Sequence, residues 1–66
     1  MKISVPNKVM EHTMMRLSTM SEAALERRIS LMSNLQKLEA MRVACWGLGM
    51  RKLSLKCKEQ IWFLVD

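Results

Sequence analysis

Apolar side chains recur along this 66-residue chain at intervals of three and four, the period that puts them on one face of an α-helix. The first such stretch runs from Lys8 to Leu17, where Val9, Met10, Met14 and Leu17 share a stripe with Thr13. Residues 1–7 are expected to form a short leader, because Pro6 biases the residue before it away from helix. Asn7 is a candidate cap for this first helix. Ser18 and Thr19 then interrupt the stripe. Thr19-Met20-Ser21-Glu22 fits a capping box, in which the Thr19 hydroxyl accepts from the Glu22 amide and the Glu22 carboxylate reaches back. It predicts a second helix over about 20–33, with Ala24, Leu25, Arg28, Ile29 and Met32 on its stripe.

Ser33-Asn34 marks a break, and a third helix is expected from Leu35 toward Met50. Leu35, Leu38, Met41, Cys45 and Leu48 are spaced 3, 3, 4 and 3, close to a heptad seam. Val43, Trp46 and Met50 line a neighbouring stripe. Gly47 and Gly49 either end this helix or weaken it by about 1 kcal/mol each relative to Ala. Arg51-Lys52 and Ser54 read as a turn, with Ser54 the candidate N-cap of a last helix over about 55–65. There Leu53, Cys57, Ile61 and Leu64 fall on one face, flanked by Trp62 and Val65, with Lys56, Lys58, Glu59 and Gln60 on the other side. The pattern thus predicts an all-α fold: a small bundle of three to four short amphipathic helices, one domain over 8–66.

Composition narrows the function classes. The chain is too short for a two-domain enzyme or a nucleotide-binding α/β sheet. It has no apolar run of about 18 residues, so no membrane span is expected. Half its residues are apolar, which excludes disorder by composition. No apolar stretch of signal-peptide type comes after Met1-Lys2-Ile3, and a cytoplasmic location with reduced Cys45 and Cys57 is the expectation. Those two Cys and His12 are the only soft metal ligands, short of the four a structural zinc site needs. No metal or other cofactor is expected. There is no nucleophile–base motif and no Gly-rich phosphate loop, and the reading is a non-enzyme. Eight Met fit ordinary core packing or an adaptable binding surface.

The charge is +5, from 11 Lys+Arg against 6 Asp+Glu. Arg51, Lys52, Lys56 and Lys58 fall within eight residues, a cluster able to attract phosphates or an acidic protein face. Arg, Asn or Gln presented together on one helix face would signal base readout, and that pattern is not evident. Direct sequence-specific DNA binding is therefore not expected.

Two tryptophans complete the picture. The segment Glu39-Ala40-Met41-Arg42-Val43-Ala44-Cys45-Trp46-Gly47-Leu48-Gly49-Met50, followed by Lys58-Glu59-Gln60-Ile61-Trp62, resembles the ANR family of small negative regulators of AraC-type virulence activators, and PerC-like regulators share a related signature. The signature is an Ala-rich helix with one Trp, a short loop, and a second helix with another Trp 16 residues on. The match covers roughly residues 38–62. It departs at Gly49, where family members tend to have Ala, and at Asp66, beyond which they usually continue.

The resemblance implies a cytoplasmic helical protein that binds an AraC-type activator directly and blocks its dimerisation or DNA binding. Contact with the histone-like nucleoid-structuring protein is implied for some members. The expected partner-binding residues are Leu38, Met41, Trp46, Leu48, Leu53, Ile61 and Trp62, with Arg51, Lys52, Lys56 and Lys58 as phosphate or acidic-partner contacts. Two other readings compete: a small basic DNA-binding or PerC-like regulator, and a secretion chaperone or oligomerisation module. Apolar surface on the last two helices also predicts a homodimer or higher oligomer built on 35–65, which Asp at Leu38 or Ile61 is expected to break.

Overall fold

Helix-forming residues dominate the chain, and the structure, a computed structural model, describes residues 3–65 as four helices: α1 (Asn7–Thr19), α2 (Glu22–Leu31), α3 (Leu35–Gly47) and α4 (Arg51–Val65). No strand occurs among the described residues. The all-α expectation holds. Helix α3 packs against both α4 and α1, while α2 packs against α4. Each helix supplies the core: Leu17 from α1, Leu25 and Ile29 from α2, Leu38, Met41 and Cys45 from α3, and Leu53, Cys57 and Ile61 from α4. The radius of gyration is 10.7 Å, against about 10.8 Å for a compact chain of this length.

The helix ends are where local chemistry overrides the simplest reading of the pattern. Asn7 does not cap α1: it is the first helical residue, Pro6 occupies the cap position, and no side chain bonds there. The capping box at Thr19 does not form either. Thr19 closes α1, and its hydroxyl donates back to the Met15 carbonyl at 3.1 Å. Met20 is extended, and Ser21 caps α2 instead, accepting from the Ala24 amide at 3.3 Å. Asn34 caps α3, its Oδ1 accepting from the Gln36 and Lys37 amides at 3.0 and 3.2 Å.

Helix α3 ends at Gly47, three residues before Met50. The Met50 amide bonds the Cys45 carbonyl at 2.8 Å, and the Gly49 amide bonds the Trp46 carbonyl at 3.2 Å. Those are the two bonds of a Schellman motif, which needs a left-handed residue at the position Gly49 holds. Gly49 has φ +80. This turn reverses the chain within three residues, so α4 starts at Arg51 rather than at 55. Ser54 therefore lies inside α4, not at its cap. It is buried, and its hydroxyl donates to the Arg42 carbonyl of α3 at 3.0 Å. Farther along, the Gln60 amide donates to the Met32 carbonyl at 3.1 Å, tying α4 to the end of α2.

Candidate functional site

Arg51, Leu55, Lys58 and Trp62 are spaced 4, 3 and 4 along α4. At 3.6 residues per turn they fall within an arc of about 60°, and Arg51 to Trp62 spans about 16 Å. The inward row of α4, formed by Leu53, Cys57 and Ile61, lies roughly a quarter turn or more away, so this stripe faces out. The Schellman turn brings Trp46, in the last turn of α3, to its beginning. The Arg51 guanidinium sits 5.5 Å from the Trp46 ring centroid, and the Lys58 ammonium 5.0 Å from that of Trp62. Both separations are within the cation–π range, where an exposed pair gains about 0.5–1 kcal/mol. That interaction orients the rings without burying them: Trp46 is 63% exposed, Trp62 56% and Leu55 56%. Two large exposed aromatic rings, each with a cation beside it, can supply apolar area and complementary charge to an incoming surface.

The seven expected partner-binding residues divide. Trp46, Leu48 and Trp62 are on the surface. Leu38, Met41, Leu53 and Ile61 are buried in the chain's own core. The reason is the packing of α3: α1 and α4 both pack on it, and the Leu38–Cys45 seam is buried within one chain. A substitution at Leu38 or Ile61 consequently tests folding before it tests association. The basic cluster divides too. Arg51 and Lys58 lie over the tryptophans. Lys52 and Lys56 fall elsewhere around α4, about 90° and 130° from the centre of the stripe.

Cys45 and Cys57 are fully buried. Burial raises both thiols, Cys57 to about 12, so neither is a thiolate near neutral pH. Among the described residues no group of three or more His, Cys, Asp or Glu could hold a metal ion, and no helix is long and apolar enough to cross a membrane.

A second feature escapes a linear reading of the sequence. A groove of about 680 Å³ opens between α1, the end of α2 and the start of α3, with Lys8, His12, Arg16, Arg28 and Lys37 in its lining. The legible part of its signal is the spacing of Lys8, His12 and Arg16 at i, i+4 and i+8, which puts them on one face of α1. Arg28 and Lys37 join them only through tertiary packing.

Comparison with protein-family models, with curated proteins and with solved structures gives no match. The likeness to the ANR family accordingly stands on the residues around Trp46 and Trp62 alone.

Proposed function

We propose that this chain is a small negative regulator of transcription that acts by contact, binding an AraC-type activator directly and blocking its dimerisation or DNA binding. The observation that carries the reading is the exposed stripe from Trp46 through Arg51, Leu55 and Lys58 to Trp62. Two exposed tryptophans with Arg51 beside the first have the composition of binding hot spots, where truncating one side chain typically costs at least about 2 kcal/mol, or roughly 30-fold in affinity. The resemblance rests on the same two tryptophans.

The test is isothermal titration of the purified chain with an AraC-type activator from the same genome. Micromolar or tighter binding by the wild type is expected, weakened at least about 30-fold in the Trp46→Ala/Trp62→Ala variant. The variant gives up both cation–π pairs and should lose about 1–2 kcal/mol of stability, and an unchanged far-UV circular dichroism spectrum checks that it stays folded. No binding at micromolar concentration refutes the proposal, and so does equal binding by the variant. Binding to duplex DNA that falls steeply between about 50 and 200 mM salt would favour the DNA-binding alternative instead.

A further inference from the structure

We propose that the groove between α1 and the α2–α3 connection is a docking site for a partner's helix bearing an apolar stripe flanked by Asp and Glu. The groove shares no residue with the tryptophan stripe, and the proposal does not depend on the activator-binding reading.

Charge is the first argument. Residues 1–41 carry six basic and four acidic side chains, a net of only +2. Folding sorts them: Lys8, Arg16, Arg28 and Lys37 line this one groove, and no carboxylate does. Glu39, the acid closest in sequence to Lys37, is engaged with Arg42 instead. Four like charges in one concavity repel one another and raise the local potential, which favours an anionic occupant.

The floor decides which anion. Val9, Leu31, Met32 and Met41 also line the groove. Leu31, the last residue of α2, is 82% exposed, and Met32 beside it is half-buried. A phosphodiester backbone has no apolar counterpart for such a floor. An amphipathic helix does: its apolar residues at i, i+3, i+4 and i+7 fill a hydrophobic groove while its flanks meet the rim. The half-buried Met32 side chain can adjust to the residues that enter, while Met41, 1% exposed, is core packing beneath the groove. Leu31 supplies an exposed apolar contact, and Arg28, three residues earlier on α2, supplies a cation next to it.

The probe is a fluorescein-labelled synthetic helix of about 18 residues, ~27 Å long, comparable with the 30 Å long axis of the molecule. It carries Leu at alternating third and fourth positions with Glu on both sides. An isomer of the same composition with scattered leucines and a short DNA duplex are the comparators. Anisotropy is read at about 150 mM salt, where exposed charges are screened beyond roughly 8 Å.

Saturable micromolar binding of the amphipathic probe is expected, at least about 10-fold tighter than for the isomer. Arg28→Glu/Lys37→Glu should weaken it by about 30-fold or more. Leu31→Ser alone should weaken it by about 5-fold. Trp46→Ala/Trp62→Ala should leave it unchanged, which separates this surface from the stripe. The altered residues are exposed, and unchanged far-UV circular dichroism confirms that each variant folds. The proposal is overturned by equal binding of the two isomers, by a duplex that binds more tightly and displaces the probe, or by no saturable binding.

Discussion

Replacing each of the two glycines by alanine should move stability in opposite directions. Gly49 has φ +80, in the left-handed region where an L side chain crowds its own backbone at a cost of about 1–2 kcal/mol. A Cβ built there meets nothing within 4 Å, so no clash with a neighbour adds to that cost and no contact offsets it. Gly47 is the last helical residue of α3, and a Cβ there also meets nothing within 4 Å. Alanine in a helix interior is favoured over glycine by about 1 kcal/mol, and at the end of α3 about half of that is expected. Gly49→Ala should therefore destabilise by about 1 kcal/mol and Gly47→Ala stabilise by about 0.5 kcal/mol.

For a domain of this size 1 kcal/mol corresponds to roughly 4–8 °C in Tm, so the two variants should differ by about 6–12 °C, with the wild type between them. Thermal and urea unfolding followed by far-UV circular dichroism reads the difference. A Gly49→Ala variant as stable as the wild type would mean that the chain does not leave α3 through a left-handed residue, and that Trp46 is not delivered to the start of the α4 stripe in this way. The experiment bears on the family likeness as well. Members that carry Ala at the position of Gly49 must either accept this cost or make the α3–α4 turn differently.

Leu38→Asp and Ile61→Asp should unfold the single chain rather than only dissociate an oligomer, because an unpaired carboxylate in a closed core costs several kcal/mol of a total that is itself small; a folded, helical Leu38→Asp monomer would contradict this. Cys57 gives a pH dependence of definite sign. Burial raises its thiol from 9.0 to about 12, so above pH 9 the unfolded chain gives up a proton that the folded chain keeps. The stability contribution is complete below pH 9 and is lost between pH 9 and about 12. Urea midpoints from about pH 8 to about pH 10.5 should fall less steeply in Cys57→Ala than in the wild type, and equal slopes would refute the assignment.

Helical periodicity marks which face of an element is apolar, but not what covers that face. That limit explains where the sequence is legible and where it is not. The Leu35-to-Leu48 seam is visible as a near-heptad, which points to a second chain as its cover. In the structure α1 and α4 pack on α3 and the Leu38–Cys45 part of the seam is buried within the one chain, because the two-bond turn at Gly49 folds α4 straight back, while Leu48 at its end stays exposed. Local hydroxyls are ambiguous for a related reason. Thr19, Ser21 and Ser54 each have cap chemistry, yet only Ser21 caps a helix; Thr19 is still within α1, and Ser54 bonds across to Arg42. The tryptophan pair is legible as a spacing of 16 residues. Its exposure is not, since it depends on which side of α4 packs inward: Leu53, Ser54, Cys57 and Ile61 do, which leaves Leu55, Lys58 and Trp62 outside. Charge is the least legible property. Counting along residues 1–41 nearly cancels, because the count ignores direction, and only the meeting of three helices puts four cations in a groove without a carboxylate. A surface of that kind is built by tertiary packing, and no linear pattern of Lys and Arg needs to announce it.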